Sequence, residues 1–249
     1  MLSLFPIRGL PMLRTGDDLA ALLIAAFERD AMRPTRGDIL VVCQKAVSKV
    51  EGRVVDLRAV TPSSFALRIT ADNPDKDPRI VEVVLRETNR IVRMNGGHLI
   101  VETGPGWVCA NAGVDSSNAG AHDTVILLPL DSDASARRLA DALRQRYEAD
   151  IAVLITDTWG RPWRQGLVDF AIGAARIPPL LDLRGSGDLD GRELQHTVVA
   201  QADGLAGAAG LLMRKSSGVP AVLVRGYEFE AADGTATELI RPKDSDLFR

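Results

Sequence analysis

Cysteine is scarce in this 249-residue chain, with only Cys43 and Cys109, too few for a disulfide framework. Each sits in an apolar strand-like run, Leu40-Val-Val-Cys43 and Trp107-Val-Cys109, where a small buried thiol is expected. Histidine is nearly as rare. His98, His122 and His196 are far apart and none belongs to a His-Glu-x-x-His pair, which removes the usual histidine zinc signature. No apolar run approaches the roughly 20 residues of a membrane span. Met1-Leu-Ser-Leu-Phe-Pro-Ile-Arg8 also lacks a basic stretch followed by a long apolar one, so a cytoplasmic protein with no membrane partner is expected. The net charge is only −3, and the isoelectric point is near 5.7. That balance gives no chain-wide attraction to nucleic acid, and any phosphate site must be local.

Several common chemical signatures are missing too. No Gly-x4-Gly-Lys-Ser/Thr loop occurs, and Gly104-Pro-Gly106 lacks the third glycine and following helix of a dinucleotide fingerprint. No Gly-x-Ser-x-Gly elbow points to serine hydrolysis. Asp188-Leu-Asp-Gly191 lacks the later glutamate of a calcium loop and reads as a solvated turn. Lysine supplies only five of the 30 basic residues, yet three of the five, Lys45, Lys49 and Lys215, lie in Gln44-Lys-Ala-Val-Ser-Lys49 and Arg214-Lys-Ser-Ser-Gly218. These are short polar segments at the ends of apolar elements, where a compact ammonium can meet phosphate.

With 46% hydrophobic residues, the chain can bury a substantial core, as one large domain or two small interlocked ones. Helices are expected over residues 16–27, 63–71, 78–89, 132–147 and 197–213. In the last of these, Gly207 and Gly210 leave room for another backbone. Strands are expected over 38–43, 124–130, 151–155 and 220–225. Residues 91–111 alternate strand and turn signals, with turns at 95–97 and 104–106, and predict an antiparallel meander. Without regular βαβ alternation, an α+β class with mixed and antiparallel sheets follows.

The densest chemistry lies in Ile151-Ala-Val-Leu-Ile-Thr-Asp-Thr-Trp-Gly-Arg-Pro-Trp-Arg-Gln-Gly166. A continuous apolar run reads as a strand covered on both faces, and Asp157 and Thr158 are expected just beyond its carboxyl end, where ligands bind in open sheets. Arg161 and Arg164, expected in one short loop, offer forked donors for phosphate or carboxylate. Asp157 and Thr158 offer oxygens to a hard cation. The bland alternative has Asp157 capping a turn, the arginines pairing with surface acids, and Trp159 and Trp163 packed in the core. A second constellation, Cys109-Ala-Asn-Ala-Gly-Val-Asp-Ser-Ser-Asn118, runs from a strand into Asp115 and a polar turn ending at Asn118. Two carboxylates at about 4 Å repel by about 4 kcal/mol at an effective dielectric near 20. If Asp115 and Asp157 converge, a proton, an arginine or a cation must lie between them.

Ile155-Thr-Asp-Thr-Trp-Gly-Arg-Pro-Trp-Arg164, Asn111-Ala-Gly-Val-Asp-Ser-Ser-Asn118, Ser48-Lys-Val-Glu-Gly52 and Pro220-Ala-Val-Leu-Val-Arg-Gly226 together resemble the coenzyme F420-0:L-glutamate ligases. The likeness runs from Phe5-Pro-Ile-Arg-Gly-Leu-Pro11 to Asp246-Leu-Phe-Arg249, which resembles the close of the ligase portion of the bacterial two-domain enzymes. The nitroreductase-like second domain is therefore expected to be missing, leaving one ligase domain over residues 1–249 with two interlocked subdomains. The resemblance implies a GTP-dependent, metal-dependent γ-glutamyl ligase. Such an enzyme adds L-glutamate to F420-0 through an acyl phosphate and extends a γ-linked tail. It also implies an intertwined homodimer, magnesium or manganese, and a monovalent cation such as potassium.

Carried over by motif, Asp115 and Asp157 resemble ligands of one divalent ion and Thr158 the ligand of a second. Lys49 and Asn118 match nucleotide-binding positions, as do the segments Leu10, Pro11, Met12, Leu13 and Met213, Arg214, Lys215, Ser216, Ser217, Gly218, Val219. Gln44 and Lys45 stand where archaeal members carry a Ser-Thr pair, and Lys215 where they carry an acidic ligand; the lysine can take over phosphate neutralisation in place of a second metal. Arg161 and Arg164 are candidates, from the residues alone, for holding a substrate phosphate or an acyl-phosphate oxygen. Two other readings stay open: a γ-glutamyl ligase for a pterin or folate-like acceptor, and a noncatalytic nucleotide-binding subunit.

Overall fold

The computed structural model describes residues 1–95, 97–120 and 122–247. Gly96, in the expected 95–97 turn, and Phe248 and Arg249, in the terminal motif, lie outside the described residues. The order of elements is β1 (Ser3–Ile7), α1 (Leu19–Arg29), β2 (Ile39–Cys43), α2 (Gln44–Val50), β3 (Val54–Asp56), α3 (Ser64–Thr70) and α4 (Pro78–Arg86). There follow β4 (Thr88–Asn95), β5 (His98–Thr103), β6 (Val108–Ala110), β7 (Thr124–Ile126), α5 (Ser132–Tyr147), β8 (Ala152–Arg161) and β9 (Arg164–Ala175). The chain continues through β10 (Leu181–Asp182), β11 (Val198–Val199), α6 (Gln201–Gly210) and β12 (Ala221–Arg225). The class is α+β, with mixed and antiparallel sheets.

The principal sheet has the order β1-β12-β2-β8-β9. Only β2 and β8 pair in parallel; β12 is antiparallel to both β1 and β2. In consequence β1, β2 and β8 all point their carboxyl ends the same way. Ile39, Leu40, Val41 and Val42 of β2 and the run from Ile151 to Ile155 are almost wholly excluded from solvent, as a sheet covered on both faces requires. Helix α1 begins at Asp18, whose carboxylate accepts the Ala21 N–H, and buries Leu19, Leu23, Ala26 and Phe27 at helical spacing. Helix α5 is capped by Asp131, whose carboxylate accepts the Ala134 N–H. Phe27 meets Tyr147 edge to face, with ring centres 6.2 Å apart, joining α1 to α5. Asp38 and Arg225, paired at 2.7 Å, tie β2 to β12 at the opposite end of the sheet from their neighbours Cys43 and Ala221.

The expected meander is present as the antiparallel sheet β4-β5-β6, and β3 pairs with β7. Two smaller cores lie there: one around Ala66, Val81, Val84, Leu99, Val101 and Ala112, the other around Leu57, Val60, Val83, Val125 and Leu127. Several boundaries differ from the sequence reading. The helix expected over 78–89 stops at Arg86, and Thr88 opens β4 with its hydroxyl bonded to the Val84 carbonyl. The strand expected over 124–130 pairs only to Ile126; Pro129 has no N–H to extend a ladder. The helix expected over 197–213 is shortened to α6 because Val198 and Val199 pair with β10. Both cysteines are free thiols. Among the described residues no helix is long and apolar enough to cross a membrane.

Candidate functional site

The shared direction of β1, β2 and β8 brings the segments that follow them to one edge of the sheet. Those segments are Leu10–Leu13 after β1, helix α2 directly after β2, and the continuation of β8 through Asp157 and Thr158. The segment leading into β12, from Met213 to Pro220, meets them from the neighbouring antiparallel strand. They enclose a cavity of about 450 Å³, the scale of a small-molecule site. Of the residues singled out in the sequence, it gathers Leu10, Pro11, Met12, Leu13, Gln44, Lys45, Lys49, Asp115, Asn118, Asp157, Thr158, Met213, Arg214, Lys215, Gly218 and Val219. Ser216 and Ser217 are not among its lining residues; the Ser217 hydroxyl bonds to the Arg214 carbonyl, and its own carbonyl accepts from Arg8.

Asp115 and Asp157 therefore do face one space, and their repulsion is relieved in two ways. The Lys45 ammonium lies 2.7 Å from Asp115 Oδ2. Burial pushes the Asp115 carboxyl up, but hydrogen bonds from Lys45 and Ser117 outweigh burial and hold it below the usual carboxylate range. At Asp157, burial dominates. It raises the carboxyl from 3.8 to about 7, against the Thr158 N–H and the Lys45 charge, and with Asp115 and Asp169 adding to the rise. Near neutrality, then, a proton is shared between this group and solvent. Lys49 is also pushed down by burial, and it makes no hydrogen bond or ion pair among the described residues.

Asp115 is fixed by backbone pairing with Ile126 at 3.0 and 2.9 Å and by the Ser117 N–H donating to its Oδ1 at 2.6 Å. Asn118 adopts a left-handed backbone, φ 58°, which asparagine tolerates better than most residues. Its side-chain amide donates to the Lys215 carbonyl at 3.0 Å, lacing two walls of the cavity together. Gln44 and Thr156, both about 1% exposed, line the same cavity. The Gln44 amide nitrogen and the Thr156 hydroxyl have no hydrogen-bond partner among the described residues. Such orphaned polar atoms are costly unless a ligand engages them.

One strand feature corrects the expected geometry. Asp157 and Thr158 are not beyond the strand: β8 continues to Arg161 and folds back as β9 from Arg164, with Thr158 opposite Asp169. Arg161 and Arg164 thus face each other at the closing pair of a hairpin arm, and neither lines the cavity. Arg161 donates to the Gln165 carbonyl; neither arginine forms an ion pair with a surface acid among the described residues. Trp159 packs by stacking on Phe170 at 5.3 Å, whereas Trp163 at the hairpin tip is 81% exposed.

Asp169 is the residue that sequence reasoning missed. Its Oδ1 accepts the Thr158 hydroxyl at 2.6 Å, burial raises its carboxyl, and it lines the cavity. The space it fills is kept by a glycine of α6: a Cβ at Gly210 would lie 2.6 Å from Asp169 Oδ2. At Gly207 and Gly210, where another backbone was expected, the closest neighbours are instead the side chains of Val168 and Asp169 on β9. Thr156 and Cys43 were also missed as lining residues.

Among the described residues no group of three or more His, Cys, Asp or Glu side chains is arranged to hold a metal ion. The donors present, Asp115, Asp157, Thr158 and the unpartnered Thr156 hydroxyl, are all hard oxygens. Magnesium and manganese sites are commonly made from one or two carboxylates completed by water and substrate phosphate, so the donor set fits such an ion bound together with an anionic ligand.

The family model described as F420-0:Gamma-glutamyl ligase matches residues 8–226. A Methanopyrus kandleri protein named coenzyme F420:L-glutamate ligase is 47% identical over 95% of this chain and 93% of its own length. Proteins of the same name from Methanothermobacter thermautotrophicus and Archaeoglobus fulgidus are 41% and 39% identical. They cover 100% and 99% of this chain and 99% and 96% of their own lengths.

Proposed function

The chain belongs to the F420-0:gamma-glutamyl ligase family, and on that premise we propose that it joins L-glutamate to coenzyme F420-0, using GTP to activate the acceptor carboxylate. One observation carries the reading at the level of the site: a single cavity at one edge of the principal sheet collects three carboxylates, three lysines and two buried polar groups without a partner among the described residues. That combination suits a polyphosphate held with a hard cation.

In this reading the nucleotide lies between Leu10–Leu13 and the segment from Met213 to Val219, with Asn118 bridging the walls. Lys49, which has no hydrogen-bond or ion-pair partner among the described residues, and Lys45 and Lys215 meet the phosphates. Asp115 and Asp157 would hold one divalent ion, magnesium or manganese, and Thr158 would contribute to a second; such ions would supply neutralisation of phosphate charge so that an anionic carboxylate can approach. An oxygen of the acceptor carboxylate attacks the γ-phosphorus and GDP departs. The carbonyl carbon then carries a phosphate leaving group in place of oxide. The glutamate amine adds to that carbon, loses a proton, and phosphate leaves with one original carboxylate oxygen. No nucleophilic side chain is required, which agrees with a cavity whose cysteine, Cys43, is held neutral by burial. Arg161 and Arg164, on the hairpin arm, are assigned to a phosphate of the acceptor outside the nucleotide cavity. A homodimer, a monovalent cation such as potassium and a cytoplasmic location belong to the same reading.

The route of the oxygen atoms tests the mechanism. With both acceptor carboxylate oxygens labelled with oxygen-18, one label is expected in the released inorganic phosphate for each amide formed. Amide formation with unlabelled phosphate would rule out the acyl phosphate.

A further inference from the structure

Both oxygens of Asp115 are engaged by the protein itself. Oδ1 accepts the Ser117 N–H. Oδ2 lies 2.7 Å from the Lys45 ammonium, which is mostly shielded from solvent and also donates to the Ser117 hydroxyl at 2.6 Å. A second ammonium, Lys215, stands 3.8 Å from the same carboxylate oxygen and 3.4 Å from the same hydroxyl. Asp115 therefore sits in a socket built for positive charge, and that charge is supplied by lysine.

A divalent ion such as magnesium binds carboxylate oxygen at about 2.0–2.1 Å. It cannot share Oδ2 with an ammonium at hydrogen-bond distance, because like charges that close repel strongly in a partly buried site. Lys45 has another place to go. It occupies the first turn of α2, one helical turn before Lys49, so the two project from the same helix face into the cavity. The Lys45 charge already contributes to lowering the Lys49 ammonium. An anion on this face attracts both lysines at once.

We infer that Lys45 is an internal competitor for the cation site: its ammonium holds Asp115 against a divalent ion, and a bound polyphosphate draws it away, making cation and nucleotide binding cooperative. This side chain adds to the coupling between the two sites, and because coupling is reciprocal, nucleotide strengthens cation binding by the same factor as cation strengthens nucleotide binding. The inference rests on the cation and nucleotide reading above.

The test is manganese binding at pH 8, counted from the electron paramagnetic resonance of free Mn²⁺, with and without GDP. The proteins are wild type, Lys45→Met, which keeps the stem and loses the charge, and Lys45→Arg, which keeps the charge. Thermal denaturation checks that each variant is folded. Without GDP, Lys45→Met is expected to bind Mn²⁺ at least tenfold more tightly than wild type, and Lys45→Arg to remain close to wild type. The strengthening of Mn²⁺ binding by GDP is expected to shrink in Lys45→Met by a similar factor. Mn²⁺ affinity in Lys45→Met no greater than in wild type overturns the inference. The metal-only titrations need no nucleotide, and failure of the nucleotide reading shows separately, as no GDP binding by calorimetric titration in any of the three proteins.

Discussion

Replacing Asp157 by asparagine should stabilise the metal-free fold while abolishing its use. Asp157 extends a fully buried strand into the cavity and is only partly exposed. Burial raises its carboxyl from 3.8 to about 7. Between those two values the folded protein binds more protons than the unfolded chain, so this group's contribution to stability is full below pH 4 and is lost as pH rises through 7. At about 1.36 kcal/mol per unit, the shift corresponds to at most about 4 kcal/mol, and residual solvent access brings the expectation to about 2 kcal/mol. Asparagine escapes that penalty and can still accept the Thr158 N–H. In EDTA, Asp157→Asn is expected to melt about 4–8 °C above wild type at pH 8 and at the same temperature near pH 4. With Mn²⁺ and GDP the order should reverse, because only wild type gains stability from cation binding. GTP turnover by the variant should fall at least a hundredfold. A variant no more stable than wild type at pH 8, or a gap of equal size at both pH values, would refute the account of Asp157.

Other positions give independent checks. Lys49→Ala should weaken GDP binding roughly ten- to a hundredfold, the loss of one charge-assisted contact, and an unchanged affinity by calorimetric titration would remove Lys49 from the phosphate site. Gly173→Ala would place a Cβ 2.5 Å from the Ser132 carbonyl oxygen, where backbone must move. A loss of about 2–3 kcal/mol in urea denaturation is expected, and a neutral result would contradict the packing of α5 on β9. Arg225→Met leaves Asp38, about 1% exposed, without its paired guanidinium; about 3 kcal/mol of destabilisation should appear. Stability equal to wild type would show that the pair does not hold β2 to β12.

What the sequence made legible was governed by local periodicity and by local clustering. The run from Ile151 to Ile155 identifies a strand because both its faces are covered, and the meander over 91–111 declares itself through its turns. The stretch after Ile155 was misplaced because Thr158, Gly160 and their neighbours form an exposed two-stranded arm held by cross-strand pairing rather than by an apolar face. That same pairing hides Asp169. It lies in Leu167-Val-Asp-Phe-Ala-Ile172 with no polar neighbours, and only its register opposite Thr158 brings it to the site. A single acid inside an otherwise apolar strand was the available signal. Asp115 and Asp157 were visible as candidates because each terminates an apolar run. Their common cavity depends on β1, β2 and β8 running in one direction, a property of topology that no short window contains. Lys45 stood out by rarity of type, but its ion pair with a residue 70 positions away in sequence is likewise a consequence of the fold.

The most direct test of the proposed ligase is mass spectrometry of F420-0 incubated with the protein, L-glutamate, GTP and Mn²⁺, with GDP measured in the same reaction. The account predicts product heavier by one or more glutamyl units, with one GDP formed for each unit and none when glutamate and F420-0 are both withheld. Folded, GDP-binding protein that leaves the mass of F420-0 unchanged would contradict it.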